Sequence, residues 1–163
     1  MPNVPRRYVP KNLTRRDKGI SMKELQKSRK LYKNKKYYTR KKVQSFHSQP
    51  SKHILTARKL YKINEIIPSI LLSKKTGCSL GALQKIVQKG EGAYFSSGSR
   101  PNQTAQSWGY ARLASSITGG KASAVDYTIL EKGCSKNSKA LKLAKHSIYY
   151  KTHGRHSVPK VKI

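Results

Sequence analysis

Enzymatic chemistry needs nucleophiles, bases or metal ligands at short, regular spacings, and this chain of 163 residues supplies few of them. It has only six carboxylates, none paired at a spacing that joins a general acid to a general base. His153-x-x-His156 has a spacing that can touch a metal, but no third ligand stands near it. The other histidines, His47, His53 and His146, are scattered. Cys78 and Cys134 each lack a nearby second cysteine, so zinc spacing is absent. Two free thiols are the expectation for a protein made in a reducing compartment, with a Cys78–Cys134 disulfide as the alternative. Thr118-Gly119-Gly120-Lys121-Ala122-Ser123 approaches a phosphate loop. Ser115 stands where that loop needs its first glycine, and Ala122 where it needs a hydroxyl for magnesium. The sequence therefore nominates no catalytic residue, no metal ligand, no cofactor and no small-molecule substrate.

What remains is cationic. Arg100, Arg112 and Lys121 sit in a Gly- and Ser-rich frame. There the backbone amides of the Ser97–Ser99 turn and of a helix N-terminus before Trp108 could cradle an anion. Arg112 has a second reading, as the internal partner of Asp126 or Glu91. The whole chain carries a net charge of +30, far beyond the roughly 2–8 of ordinary small domains. Residues 1–62 hold twenty Lys and Arg against two acids, and residues 134–163 hold eight against none. Between them, residues 63–133 hold eight against four. Such an excess strains a compact chain and calls for a polyanion or an acidic protein surface.

The elements that must position these residues follow from pattern. An apolar content of 36% suits one domain with basic flanks. The longest apolar run, Ile66 to Leu72, is broken by Pro68 and Ser69 and does not approach the roughly 18 residues of a membrane span. MPNVPRRYVPKN has no apolar segment of secretory-signal type. Three prolines in residues 1–16 favour an extended arm. Ser21-Met22-Lys23-Glu24 has capping-box form and predicts a first helix with a thin stripe of Met22, Leu25 and Tyr32. Residues 33–50 have no helical period; Tyr37, Tyr38 and Phe46 alternate there with cations and are candidate interface anchors.

Further on, Ser51, Ser69, Ser79, Thr104 or Ser107, and about Ser138 open predicted helices. Gly77 and Gly90 stop two of them. Leu72 to Ile86 is similar to a helix-turn-helix, with Lys74, Lys75 and Lys85 outside; the same pattern is also an ordinary packing unit. Ala93–Ser97 and Ala122–Leu130, the latter with Val125, Tyr127 and Ile129 alternating, read as strands. Trp108 and Tyr110, on a helix of otherwise small residues, read as anchors. The expected fold is α+β: a small, mostly helical domain with a short β element, flanked by extended basic N- and C-terminal arms. The expected division is a basic arm with short helices over 1–62, a compact core over 63–149 and a basic tail over 150–163.

GAYFSSGSRPNQTAQSWGYARLASSITGGKASAVDYTIL, residues 92–130, strongly resembles a domain of unknown function found in large double-stranded DNA viruses of algae and amoebae, the nucleocytoplasmic group. The upstream RRYVPKNLTRRDK and SRKLYKNKKYYTRKKVQSF look like the N-terminal part of the same proteins. The resemblance reaches to about Cys134. It implies a virally encoded basic protein, made in the host cytoplasm and packaged in the virion, and brings no catalytic residue with it. Two roles follow as expectations. One is a minor capsid component of the inner capsid layer that bridges capsomers, touching the major capsid protein, other minor capsid proteins or anionic inner-membrane lipid. The other is a basic protein that condenses viral double-stranded DNA.

Overall fold

The computed structural model describes residues 3–149 and 159–163. They form a helix-rich α+β fold whose β part is a two-stranded sheet. The order is β1 (Asn3–Pro5), α1 (Arg15–Lys33), α2 (Lys52–Tyr61), α3 (Ile70–Thr76), α4 (Leu80–Ser96), α5 (Ala105–Ile117), α6 (Lys121–Val125), α7 (Tyr127–Gly133), α8 (Lys139–Tyr149) and β2 (Lys160–Lys162). The chain divides into two compact units. Described residues within Met1–Gln49, Glu91–Trp108 and Ser157–Ile163 make one, and those within Pro50–Gly90 and Gly109–His156 the other.

In the first unit the chain ends meet. β1 and β2 pair antiparallel with Val4 opposite Val161, and the Arg6 amide donates to the Pro159 carbonyl. Val4, Tyr8, Val9, Leu13, Leu25, Val43 and Ile163 form a buried cluster, with Ile20, Met22, Phe46 and Trp108 partly buried against it. Extended basic arms are thus not what the described residues show. The reason lies in sequence distance: single apolar residues, each alone in a basic stretch, make a core only when segments far apart in the chain come together. Residues 150–158 of the expected tail, His153 and His156 included, lie outside the described residues. Helix α1 starts six residues before the expected Ser21, because Thr14 accepts from the Asp17 amide and caps it there; Ser21 is buried inside the helix.

The second unit follows the helix caps. Ser69 accepts from the Leu72 amide, Ser79 from Ala82 and Ser138 from Leu141. Gly77 ends α3 at a φ of 76°, the left-handed region that favours glycine. The core joins Ala57, Tyr61, Leu72, Leu83, Ile86, Leu113, Ile117, Leu130, Leu141 and Ala144, among others. Two expectations fail here. Helix α4 runs through Gly90 to Ser96, so Ala93–Ser97 is not a strand. Gly90 serves close approach instead of termination, since a Cβ there would lie 2.6 Å from the Gly109 Cα. Ala122–Leu130 is likewise helical, in α6 and α7. Its buried residues are Ser123, Asp126 and Leu130, at helical spacing, while Val125 is 65% exposed. The two thiols, expected free, form a Cys78–Cys134 disulfide. Backbone bonds from the Ser79 amide to the Gly133 carbonyl and from the Ser135 amide to the Gly77 carbonyl align the two strands of chain that carry it.

Candidate anion-binding site

The loop after α4, residues 97–104, is the organising piece of the first unit. Gly98 has a φ of 129°, and a Cβ there would lie 2.8 Å from Leu25, so the loop passes tightly over α1. Asn102, in the left-handed region, accepts from the Val43 amide at 2.7 Å and donates to the carbonyls of Val43 and Phe46 at 2.9 and 2.8 Å. One side chain thereby fixes a basic segment that has no secondary structure of its own. Ser99 holds the same segment from the other side, accepting from the Arg40 guanidinium at 2.7 Å.

Arg40 is the centre of this arrangement. Its guanidinium lies 3.7 Å above the Tyr94 ring and also donates to the Tyr94 carbonyl at 2.8 Å and the Ser28 hydroxyl at 3.0 Å. Its own amide donates to the Tyr94 hydroxyl. None of these acceptors is a carboxylate. Burial holds the guanidinium below its ordinary pKa, with Tyr94, Tyr8 and Glu24 opposing that shift. Glu24 Oε2 is itself occupied by the Tyr38 hydroxyl and the Lys41 amide. Beside Arg40 lies a cavity of about 20 Å³, lined also by Lys41, Arg100, Gln103, Ser21 and Glu24.

The second unit treats its half-buried arginine, Arg112, in the opposite way. Asp126 is fully buried and accepts from Arg112 Nε and Nη2 at 2.9 and 2.7 Å and from the Ser116 hydroxyl at 2.9 Å; Lys89 Nζ stands 3.4 Å away. Burial would raise this carboxyl, but the Arg112 and Ser116 hydrogen bonds outweigh it and hold the pKa down. Of the two readings for Arg112, the internal ion pair is the one found. Lys121 starts α6 and is exposed, and Gly120 must be small because a Cβ there would overlap the Ser115 hydroxyl.

The α3–α4 hairpin has helix-turn-helix form, with the Ser73 hydroxyl donating to the Cys78 carbonyl across the turn. Lys74 and Lys75 are exposed on α3. On α4 the outward stripe is Gly81, Gln84, Lys85 and Gln88, opposite buried Leu83, Ile86 and Val87. Ile70 and Leu71 at the start of α3 are 70% and 53% exposed. Leu71 joins Ile63 and Ile67 in an open groove of about 480 Å³.

The expected anchors divide. Tyr37 is exposed and stacks edge-on against Phe95 at 5.2 Å; Tyr38 lies beneath the Lys27 ammonium at 4.3 Å. Phe46 is half-buried, and Trp108 meets Tyr8 edge-to-face at 6.1 Å. Tyr110 is half-buried on the core of the second unit. Sequence reasoning missed Arg40. The one signal was that an arginine, whose planar fork can stack and bond together, stands among lysines in Lys33–Lys42. Among the described residues no helix is long and apolar enough to cross a membrane, and no group of three or more His, Cys, Asp or Glu could hold a metal ion. No curated protein and no solved structure matches the chain. The loop 97–104, the segment it clasps and the Asp126 cluster all fall within residues 5–142, which match the model of a family of unknown function, DUF5824, and the chain belongs to that family.

Proposed function

We propose that the protein is a non-enzymatic structural component of a virus particle. It is a minor capsid component of the inner capsid layer that docks on acidic faces of the major capsid protein and of other minor capsid proteins. One observation supports this reading most directly. The chain carries +30, yet among the described residues only Arg112 and Lys89, of all its lysines and arginines, form ion pairs, and both end on Asp126. Asp17 and Glu24 are occupied by hydroxyl and backbone amide donors, so neither is spent on a lysine or arginine. A chain with so large a cationic excess, two of whose six acids are buried, is suited to an anionic surface. Residues 3–49 contribute as part of a folded unit and not as a threaded arm. The viral setting rests on the resemblance of residues 92–130. Fractionating purified particles into shell and genome is the test: recovery with emptied shells is expected, and recovery with the genome alone would overturn the reading.

A second reading, a protein that binds packaged double-stranded DNA, is favoured by the hairpin. Lys74, Lys75 and Lys85 can neutralise phosphates, and Gln84 and Gln88 have the amide groups that read base edges. Retention on DNA above physiological salt would favour it.

A further inference from the structure

We propose that the cavity beside Arg40 is a receptor for a single carboxylate group presented by a partner protein. The inference rests on the docking reading above and names the chemistry recognised at one point of that surface. A guanidinium withdrawn from water is ordinarily balanced by an acid, as Arg112 is by Asp126 in this chain. Arg40 is half-buried and, among the described residues, has only neutral oxygens, those of Ser28, Tyr94 and Ser99, as hydrogen-bond partners. Two further cations, Lys41 and Arg100, line the same cavity against one acid, Glu24, which is already engaged by Tyr38 and Lys41. The lining is therefore net positive, three cations against one acid.

Size and shape select the anion. A volume of about 20 Å³ admits about one water-sized centre, enough for the oxygen edge of a carboxylate. A tetrahedral phosphate, with four oxygens, is too bulky for that space and fits less well. The planar fork of arginine matches a carboxylate edge in two parallel bonds. Arg100 is exposed and Lys41 is exposed, so both can reach around a group that arrives from solvent.

The test uses the full-length protein, labelled for amide NMR. The Lys41, Ser99, Arg100 and Gln103 amides are followed during titration with sodium acetate, sodium phosphate and a glutamate-rich peptide, at ionic strength matched with chloride. Saturable shifts with acetate, tighter binding of the peptide and weaker binding of phosphate are expected. Arg100→Ala should weaken acetate about tenfold, a loss of 1.4 kcal/mol. Arg40→Lys, which keeps the charge and removes the fork, should abolish saturation. Shifts no different from chloride, tighter phosphate than acetate, or an Arg100→Ala variant that binds as wild type would overturn the proposal. A peptide no tighter than acetate would overturn the partner-protein source. Co-sedimentation of Arg100→Ala with emptied shells separates the two levels. Loss of acetate binding with shell retention intact removes the pocket from the interface and leaves docking standing. Acetate binding by a wild-type protein that ignores shells overturns docking and leaves the receptor.

Discussion

Two aspartates set the acid limb of stability. Ser45 donates both its hydroxyl and its amide to Asp17 and holds that carboxyl below its ordinary value of 3.8. Asp126 is lowered through Arg112 and Ser116 despite its burial. A carboxyl lowered in the folded state stabilises above the unfolded value and loses that contribution as pH falls through the lower, folded value. Thermal unfolding midpoints should therefore hold steady down to about pH 5 and drop below about pH 4, the range in which unfolded carboxylates take up protons. Asp126→Asn should flatten that drop. It should also destabilise at neutral pH by on the order of 3 kcal/mol, because Arg112 would lose its carboxylate. Denaturant titration of the variant at pH 7 and pH 3.5 checks both; a wild-type acid limb in Asp126→Asn would refute the assignment. Tyr61 works at the other end of the scale. Burial pushes its phenol up, and its hydroxyl donates to the Ile117 carbonyl, so its contribution is lost as pH rises above the ordinary value of 10.

Between helices, α4 comes close to α5 at Gly90 and Gly109. Gly90→Ala would put a methyl 2.6 Å from backbone that cannot yield like a side-chain tip. Overpacking there should cost about 1–3 kcal/mol, even though alanine is the better helix former. A stability gain in that variant would mean the helices separate readily. The disulfide acts between α3–α4 and the α7–α8 link. It joins residues 56 positions apart, and constraint of the unfolded chain by such a loop is worth about 4 kcal/mol in the chain-entropy account. Reduction with dithiothreitol should lower the denaturant midpoint accordingly; an unchanged midpoint would show that backbone bonds alone hold that joint. Helices whose start is marked by a local side chain, at Ser69, Ser79, Thr104 and Ser138, were legible in the sequence. The false strands were not avoidable by pattern alone. Alternation at Val125, Tyr127 and Ile129 also occurs on helices whose buried face is partly polar, here Ser123 and Asp126 beside Leu130.

Across the whole molecule, charge dominates. Self-repulsion at +30 is screened by salt, so the melting temperature should rise by several degrees between 10 and 150 mM NaCl, where the screening length falls from about 30 to about 8 Å. A fall would mean that attractive pairs outweigh the repulsion. Any chain this basic binds DNA in dilute buffer. The log of affinity should then fall with log salt at about −0.9 per phosphate contact. Under the capsid reading DNA binding is gone near physiological salt while shell association persists through apolar contacts at Ile70, Leu71 and Tyr37, which salt does not screen. Limited trypsinolysis should leave much of residues 3–49 protected, because Val4, Val9, Leu13 and Val43 are buried there despite the flanking Lys and Arg. Rapid loss of that segment would contradict its packing.

The sequence by itself determined what is local or additive: the charge, the scarcity of paired acids, the capped helices, the turn at Gly77 and the membership of residues 92–130 in a recognisable motif. Those properties depend on composition or on residues within one helical turn of each other. Tertiary structure alone decided the rest. It placed Arg40 on Tyr94 and Ser99, more than fifty positions away, and gave Arg112 to Asp126 instead of an outside anion. It also joined Val4 to Val161 and Cys78 to Cys134. A half-buried guanidinium and a sheet between β1 and β2 are set by which distant segments share a core, and no period or spacing along the chain records that choice.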